Sequence, residues 1–304
     1  MSNPLILDAG KAAKRSATAR SATARSATAR SAVAKPAIRH LRTAAAWFFA
    51  LLLFFPIFWL GLMAFKTEGQ AIATPPLLFF TPTLESFYDV MARDHYVGYA
   101  LNSLITSVVS TAIGLMIAIP AAYSMVFYPT RGTIGLLKFM LSSRYMPGVG
   151  ALMPIYICYQ YFGMLDTRIG LTIMFMLMNL PIMIWLLYTN LRELPREILE
   201  AARMDGATVL HEFRYIVLPL SVGGIASTAL VCMVWSWNES FWSLNLGASN
   251  AGTLAWLIAS YSSPEGLFWA KLSAASLMAI APIMALGWFC QKQLVQGMTF
   301  GAVK

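Results

Sequence analysis

The chain has 304 residues, of which 58% are hydrophobic and only 12% are charged, and its mean hydropathy is +0.64. Soluble domains carry about 25% charged residues, so this composition excludes an ordinary soluble protein and indicates an integral membrane protein. The formal net charge is +9, but residues 1–42 hold nine lysines and arginines against one aspartate, and the rest of the chain is nearly neutral. A basic body built to bind nucleic acid is therefore excluded.

Residues 1–42 form a basic N-terminal segment with a five-residue repeat. RSATA occurs three times from Arg15 and is followed by RSAVA from Arg30. The segment has very few large apolar residues, so we expect it to be disordered. A transit peptide has a similar composition, but the apolar, membrane-length segment that follows argues against one. A weak attraction to anionic membrane lipid is compatible with the charge.

Six apolar segments follow, each about as long as the 20 residues that a helix needs to cross a bilayer. They lack the alternation of barrel strands, and helices satisfy their own backbone hydrogen bonds in lipid. The predicted fold is therefore all-α and polytopic, with a six-helix transmembrane domain over residues 43–304. The predicted transmembrane helices lie within residues 43–65, 96–130, 134–163, 169–191, 215–238 and 272–291. Residues 239–271 are too polar for a span, but a short or re-entrant helix is predicted at 253–261.

The distribution of positive charge predicts the orientation in the membrane, because cytoplasmic loops are enriched in lysine and arginine. With six spans, 17 of the 22 lysines and arginines fall on the side that holds both termini and the loop at residues 193–219. Both termini and this loop are therefore predicted to be cytoplasmic. The loop at residues 66–97, on the other side, contains Glu68, Glu85, Asp89 and Asp94.

The 193–219 loop is a polar interruption between two spans, and its local sequence predicts two helices around a turn. Pro195 suits the first turn of a helix, where its missing N–H is not needed. A helical run follows over Arg196–Met204, and Asp205-Gly206 predicts a turn because glycine readily adopts a positive φ. A second helix then leads through Pro219 into the fifth span. This arrangement is suited to act as a lever.

The same loop resembles the EAA loop of binding-protein-dependent ABC transporter permeases. Glu200-Ala201-Ala202 is followed after three residues by Gly206, and after nine more by Ile216-x-Leu218-Pro219, with the spacing of that motif. The resemblance implies an ABC importer type I permease fold in a bacterial inner membrane. It also implies that the loop couples the chain to an ATPase through Glu200, Ala201, Ala202, Asp205, Gly206, Ile216, Leu218 and Pro219.

Further motifs are similar to carbohydrate permeases of the maltose-transporter type. They are Arg144-Tyr145-Met146-Pro147, Leu165-Asp166-Thr167, Trp237-Asn238-Glu239 and the C-terminal GMTFGAVK. The segment Tyr261–Ser276, YSSPEGLFWAKLSAAS, most resembles the mannitol/sorbitol branch of these permeases. The resemblance therefore implies transport of a sugar or a sugar alcohol.

The resemblance also implies the partners of the chain. The 193–219 loop is expected to sit in a cleft of a separate ATPase subunit, whose ATP-driven dimer closure moves the spans. A second, homologous permease is expected to complete the pore as a heterodimer, and a periplasmic or lipid-anchored solute-binding protein is expected to deliver the sugar. The chain has no G-x-x-x-x-G-K-[ST] motif, so we expect it to be non-catalytic and to bind no cofactor, with ATP and Mg²⁺ used by the ATPase. Its cysteines and histidines lack ligand spacing, and no metal site is predicted.

Polar and aromatic residues in or beside the spans are candidates for the substrate path, because sugars are bound by hydrogen-bonding groups and flat apolar faces. The candidates are Asn102, Arg144, Asn179, Trp237, Asn238 and Glu239, with Trp235 and Trp242 nearby. An interfacial aromatic belt is the alternative for the tryptophans, and helix–helix hydrogen bonding is the alternative for the two asparagines. For Arg144, an ion pair within the protein is favoured over direct sugar contact.

Other functions are also compatible with six spans. The chain could be a permease for another carbohydrate such as a disaccharide, or a stand-alone secondary transporter, or a membrane scaffold or receptor subunit. None of the predicted spans contains Asp or Glu, which argues against proton coupling.

Overall fold

The computed structural model describes residues 40, 42–263 and 266–299. The predicted disorder of the RSATA segment therefore falls almost entirely outside the described residues. Backbone contacts divide the chain into units of residues 1–60 and 61–304. Helix α1, Arg42–Ala64, begins in the first unit, and its most apolar 18-residue window is not buried inside the protein. An unburied apolar helix of 23 residues has the length and surface of a membrane span, as predicted.

The second unit is almost entirely helical. Its first half contains α2 (Glu68–Ala71), α3 (Glu85–Tyr88) with a π-helical turn at Asp89–Arg93, α4 (Tyr96–Phe127), α5 (Thr133–Arg144), α6 (Gly148–Tyr161) and α7 (Arg168–Leu191). Its second half contains α8 (Arg196–Met204), α9 (Val209–Glu212), a π-helical turn at Phe213–Val217, α10 (Leu218–Leu220), α11 (Val222–Trp237), α12 (Phe241–Leu246), α13 (Leu254–Ser260) and α14 (Trp269–Thr299). A hairpin of two-residue strands, β1 (Ser262–Ser263) and β2 (Gly266–Leu267), precedes α14. The predicted all-α polytopic fold and the short helix near residue 254 are confirmed.

The third predicted span, residues 134–163, is not one helix. It consists of α5 and α6, which are separated at Tyr145-Met146-Pro147. Pro147 adopts an extended ψ of 123° and precedes the first turn of α6. Proline also disfavours helical geometry in the residue before it, so the break has a local cause. Arg144 consequently lies at the end of a helix rather than within a continuous span.

The fifth predicted span, residues 215–238, is bent by 71° between the segment Val209–Leu220 and α11. Pro219 lies in the bend, and its ring lacks the N–H that a regular helix would use. The chain widens to a π-helical turn immediately before it. The Ser221 hydroxyl then donates a hydrogen bond to the Val217 carbonyl at 2.6 Å. Proline and serine therefore set an angle between the 193–219 loop and the membrane helix that follows it.

The main helical core is built by α4, α7 and α11. α4 and α7 run in the same direction, because Asn102 contacts Arg168 near their starts and Met183 packs on Gly114 further along. α11 runs the opposite way, since its first turn contacts Asn190 near the end of α7. Glycines at these crossings let the helix backbones approach closely, which is common between membrane helices.

The acidic loop at residues 66–97 contacts and caps the N-terminus of α14. The Glu68 carboxylate accepts hydrogen bonds from the backbone N–H groups of Ala270 (3.1 Å) and Lys271 (2.9 Å). Such an acceptor satisfies free donors at a helix N-terminus and complements the helix dipole. The Lys271 ammonium lies 3.4 Å from the Asp89 carboxylate and 3.9 Å from that of Asp94. Glu68, Asp89 and Asp94 of this loop thus interact with the start of α14.

Candidate functional site

The first half of the 193–219 loop is the short helix α8, which Pro195 precedes and Gly206 ends. Gly206 has a φ of 87°, which side chains strongly disfavour. Its N–H donates to the Arg203 carbonyl at 3.1 Å, and the Ala207 N–H donates to the Ala202 carbonyl at 2.9 Å. This pair of hydrogen bonds is the Schellman motif that terminates helices at glycine. The predicted helix over Arg196–Met204 and the turn after it are both confirmed.

One face of α8 is anchored and the other is free. Leu199 is 3% exposed and packs in the hydrophobic core formed by α4 and α7. Glu200, Ala201 and Asp205 are exposed, and Ala202 is half-buried. The neighbouring Met204 is 88% exposed, so an apolar side chain stands beside the acidic ones. A small, partly apolar and acidic surface is therefore presented away from the protein.

The second half of the loop leads directly into the membrane helix α11. Val217 is fully buried in the same core as Leu199. Ile216 packs against this core and Leu218 is half-buried, whereas Pro219 is exposed at the bend. The motif residues Ile216 and Leu218 are thus partly buried and Pro219 lies at the bend, while Glu200 and Ala201 lie on the exposed surface of the loop.

An ion pair between the exposed Arg203 and the buried Glu212, which the sequence analysis missed, joins the two halves of the loop. The Arg203 guanidinium donates from Nε to Glu212 Oε2 at 2.7 Å and from Nη2 to Glu212 Oε1 at 3.0 Å. Glu212 is 1% exposed. The hydrogen bonds from Arg203, with the Tyr123 hydroxyl contributing as well, outweigh burial and hold the pKa of Glu212 below its usual value. The sequence did offer one signal for this pair, namely two opposite charges nine residues apart on either side of a predicted turn.

The ionised form of Glu212 is the one that the pair stabilises. Because its pKa is lower in the folded protein than in the unfolded chain, its stabilisation is fully present above the ordinary glutamate pKa of about 4.3. It is lost only as the pH falls through the lowered folded value. We therefore expect the ion pair to remain intact at neutral and mildly acidic pH.

A cavity of about 540 Å³ lies between α5, α6, α7 and the start of α12. Its wall includes Arg144, Tyr159, Met174, Glu239, Phe241 and Trp242. The cavity thus combines a cation, a carboxylate and aromatic rings, which are the groups that bind hydroxylated ligands in largely apolar pockets. Of the predicted substrate-path residues, the structure brings Arg144 and Glu239 together in this wall.

Arg144 is held in place by polar groups of the neighbouring helices. Its Nη1 donates to the Met178 carbonyl at 2.6 Å and to Asn179 Oδ1 at 3.5 Å. The guanidinium carbon lies 4.3 Å from the centre of a Trp235 ring, within the range of cation–π attraction. No carboxylate among the described residues forms an ion pair with Arg144. Among the described residues, backbone, amide and aromatic groups are the partners of Arg144 instead.

The other candidates have different surroundings, and Trp237 and Asn238 line a separate cavity between α11, α13 and α14. Asn179 is fully buried, and its Nδ2 donates to Ser236 Oγ at 2.8 Å, which favours the helix-packing alternative. Trp237 is 6% exposed in a second core cluster, so an interfacial belt does not describe it. Asn238 is exposed and donates to the carbonyl of Val234. Glu239 accepts a hydrogen bond from the Trp242 N–H at 3.0 Å.

Asn102 lies at the end of the protein opposite the 193–219 loop. It belongs to a hydrogen-bonded cluster with Arg168, Asn250 and Gly252, which we call the polar joint. Its Nδ2 donates to the carbonyls of Asn250 (3.0 Å) and Gly252 (2.9 Å). Its Oδ1 accepts a hydrogen bond from Arg168 Nε at 2.7 Å. The side chain is 3% exposed, and its oxygen and nitrogen both have partners within the chain. This geometry favours the packing alternative over a sugar contact for Asn102.

Asp166 completes the same joint from the loop between α6 and α7. Its carboxylate accepts hydrogen bonds from the N–H groups of Ala248 (2.7 Å), Ala251 (2.9 Å) and Asn250 (3.2 Å). Burial raises the pKa of Asp166, but these N–H groups outweigh it and hold the pKa below its usual value. The residue also has a φ of 51°, which asparagine and aspartate tolerate better than other side chains.

Replacing Asp166 with alanine is expected to destabilise this joint. Alanine would leave the three N–H groups without their acceptor and would strain the left-handed backbone by about 1 kcal/mol. Asp166→Asn retains an oxygen acceptor and tolerance of a positive φ, so it serves as the matched control. Thermal unfolding of the protein purified in detergent is expected to show a clearly lower Tm for the alanine variant. Equal Tm values for the two variants would contradict the assignment.

Residues 110–298, which include the 193–219 loop and the cavity, match the family model described as "Binding-protein-dependent transport system inner membrane component". The chain belongs to this family. A probable ABC transporter permease protein of Sinorhizobium fredii is 31% identical over 82% of this chain and 90% of its own length. The diacetylchitobiose uptake system permease protein DasC of Streptomyces coelicolor is 31% identical over 86% of this chain and 95% of its own length.

A more distant relative extends the family match, and a solved structure supports the fold. The trehalose/maltose transport system permease protein MalG of Thermococcus litoralis is 27% identical over 88% of this chain and 97% of its own length. A bacterial ABC transporter involved in import of the acidic polysaccharide alginate contains a chain with a TM-score of 0.66 and 19% identity. The alignment covers 83% of this chain and 94% of that one. The chain therefore has the fold of an ABC importer permease, an inner-membrane transport component.

Proposed function

We propose that this chain is the permease subunit of an ATP-driven importer for a sugar or sugar alcohol, and that its 193–219 loop couples a separate ATPase subunit to the membrane helices. The observation that carries the proposal is that α8 has one exposed face and one face packed in the core. Its open surface displays Glu200 and Ala201, whereas its other face is anchored in the core through Leu199. The following segment continues through Pro219 into α11. A push on α8 would thus be delivered directly to the transmembrane helices.

The proposed importer needs further subunits, each fitting a feature of the chain. An ATPase dimer would use ATP and Mg²⁺, since the chain lacks a P-loop motif. A second, homologous permease would form a heterodimer with this chain, and lipid would cover the rest of the apolar surface. Exposed apolar side chains on the membrane helices, including Met116 and Phe139, suit both kinds of neighbour. A periplasmic or lipid-anchored solute-binding protein would deliver the substrate.

The proposed orientation places both termini and the 193–219 loop in the cytoplasm of a bacterial cell. The excess of lysine and arginine on that side supports it. The acidic loop at residues 66–97 and the joint around Asn102 would then face the periplasm. In this orientation the ATPase and the solute-binding protein approach from opposite ends of the chain.

The proposed substrate path passes the cavity that Arg144 and Glu239 line. Aromatic rings beside two charged groups suit a ligand with several hydroxyls. The resemblance of Tyr261–Ser276 to mannitol and sorbitol permeases supports a sugar alcohol. Relatives named for diacetylchitobiose and for trehalose/maltose transport support the alternative, a disaccharide.

Uptake measurements on the importer in its native cells test the substrate and the energy source together. Labelled mannitol, sorbitol, trehalose, maltose and diacetylchitobiose form the panel, with and without deletion of the gene for this chain. The proposal expects deletion to abolish uptake of at least one of them. Uptake into vesicles should require internal ATP. Uptake driven by an ion gradient alone, without ATP, would instead identify a secondary transporter, and unchanged uptake across the panel would reject a carbohydrate substrate.

Reversing the charge of Glu200 is expected to uncouple the importer. Glu200→Lys would place a cation where the ATPase is expected to present a basic group, and like charges at an interface cost several kcal/mol. We expect uptake to fall at least about tenfold, which corresponds to about 1.4 kcal/mol, with a normal amount of chain in the membrane. Glu193→Lys, an exposed charge reversal outside α8, is the control. Normal uptake by the Glu200 variant would reject the coupling role.

A further inference from the structure

Three side chains form a continuous polar connection from the 193–219 loop to the end of α4. Arg203, in the last turn of α8, holds both carboxylate oxygens of Glu212. Glu212 Oε1 also accepts a hydrogen bond from the Tyr123 hydroxyl of α4 at 2.8 Å. We call Arg203, Glu212 and Tyr123 the clasp.

The clasp also reaches a membrane helix outside the 193–219 loop. The Arg203–Glu212 pair joins α8 to α9, and Arg203 Nη2 also donates to the Tyr128 hydroxyl, just beyond the end of α4, at 3.4 Å. Tyr123, however, belongs to the long helix α4 and lies 89 residues before Glu212 in the chain. The backbone of the loop continues into α11 and not into α4. The hydroxyl of Tyr123 is therefore a separate connection to a different membrane helix.

The clasp is built to resist separation. A two-pronged arginine–carboxylate pair is short, directional and stronger than neutral hydrogen bonds. Glu212 is 1% exposed, and pulling away one partner would leave a buried charge incompletely satisfied. The Tyr123 ring also makes an edge contact with Phe213 and a tilted contact with Phe127, at 5.1 Å and 5.2 Å between ring centres. These contacts favour movement of the three residues as one unit.

We infer that the clasp transmits the movement of the 193–219 loop to α4, with the Tyr123 hydroxyl as a positioning group for coupling. The inference rests on the proposed function and adds a second route to the continuous backbone that enters α11. Since α4 packs along α7, with Met183 against Gly114, movement at Tyr123 reaches the helix that carries Met174 and Met178 of the cavity wall. The clasp thus connects the loop to the proposed substrate path.

Tyr123→Phe tests the inference because it removes the hydroxyl and keeps the ring. The importer is purified with its partner subunits and reconstituted, and the number of ATP molecules hydrolysed per sugar molecule imported is measured. We expect this ratio to rise about tenfold, the effect of losing one hydrogen bond to a charged group. Tyr188→Phe is the matched control. Tyr188 is buried in the same core cluster, and its hydroxyl has no hydrogen bond to any described residue, so the ratio should stay unchanged.

Two further measurements separate coupling from a purely structural role. A double variant, Tyr123→Phe with Glu212→Gln, should be little worse than the Glu212 single variant, since both remove the same connection. A lowered Tm or a lowered amount of assembled importer for Tyr123→Phe, with an unchanged ATP-to-sugar ratio, would overturn the inference. The Glu200→Lys variant distinguishes failure of the clasp inference from failure of the proposed function. If it uncouples the importer while Tyr123→Phe does not, the clasp inference fails alone; if it transports normally, the proposed function fails.

Discussion

Replacing Gly206 with proline is expected to abolish sugar uptake while leaving the chain in the membrane. Gly206 has a φ of 87°, and proline is restricted to a φ near −65°. Proline also lacks the N–H that bonds the Arg203 carbonyl, so the Schellman turn cannot form. A misfit of this kind costs about 3 kcal/mol or more. If this free energy is lost from the docking of α8 against the ATPase, uptake drops about a hundredfold.

The control for this change is Gly206→Asn. No atom lies within 4 Å of the Cβ position at Gly206, so a side chain is sterically tolerated and only the backbone conformation is tested. Asparagine adopts positive φ more readily than other residues with a side chain, so most uptake should remain. Uptake rates are compared at equal amounts of membrane-inserted chain. Normal uptake by the proline variant would show that the turn is dispensable and would contradict the lever model.

The second large effect is expected from Gly170→Ala, at the start of α7. A Cβ atom at this position would overlap the carbonyl oxygen of Met164. It would also lie 3.0 Å from Thr167 Oγ1 and 3.2 Å from the Tyr159 ring. Thr167 caps α7 by accepting the Gly170 N–H at 3.0 Å. Because the nearest obstacle is backbone, the helix start must shift, and overpacking of this kind costs about 1–3 kcal/mol.

The matched control is Gly150→Ala, in the first turn of α6. Its Cβ would meet no atom within 4 Å, and alanine favours a helix over glycine by about 1 kcal/mol. Thermal unfolding in detergent is expected to show a lower Tm for Gly170→Ala and an equal or higher Tm for Gly150→Ala. A Tm for Gly170→Ala at or above that of the unaltered protein would mean that the overlap is relieved without cost, contrary to the expected close packing.

The bounds of α8 could be predicted to the residue because its signals are local. Pro195, the helical run and Gly206 act on the chain within a few residues, and the same chemistry operates before tertiary contacts form. The third and fifth spans show the limit of such reasoning. Hydrophobic length predicted continuous helices there, whereas Pro147 separates α5 from α6, and the helix bends by 71° beside Pro219. Apolar composition reports where lipid is favourable and does not report helix continuity.

The site was only partly predictable. The motif residues Glu200 and Gly206 were identified from residue types and spacing together. The contact of Glu212 with Tyr123, in contrast, had no sequence signal, because the two residues lie 89 positions apart. The same holds for Asn102, whose partner Asn250 is separated from it by 148 residues. Burial and hydrogen bonding decide whether such a residue stabilises the fold or is free for a ligand.

The sequence by itself therefore determined the membrane class, the helical fold and the short helix that ends at Gly206, and its resemblance to a known motif indicated the family. The first three properties follow from apolar length and turn chemistry, which are short-range or additive along the chain. Only the tertiary structure decided that Arg144 and Glu239 share a cavity and that both polar atoms of the Asn102 side chain are hydrogen-bonded within the chain. It also decided that Glu212 accepts a hydrogen bond from Tyr123 of α4. Those outcomes depend on which distant helices pack together, since a buried polar group is defined by the partners that packing brings to it.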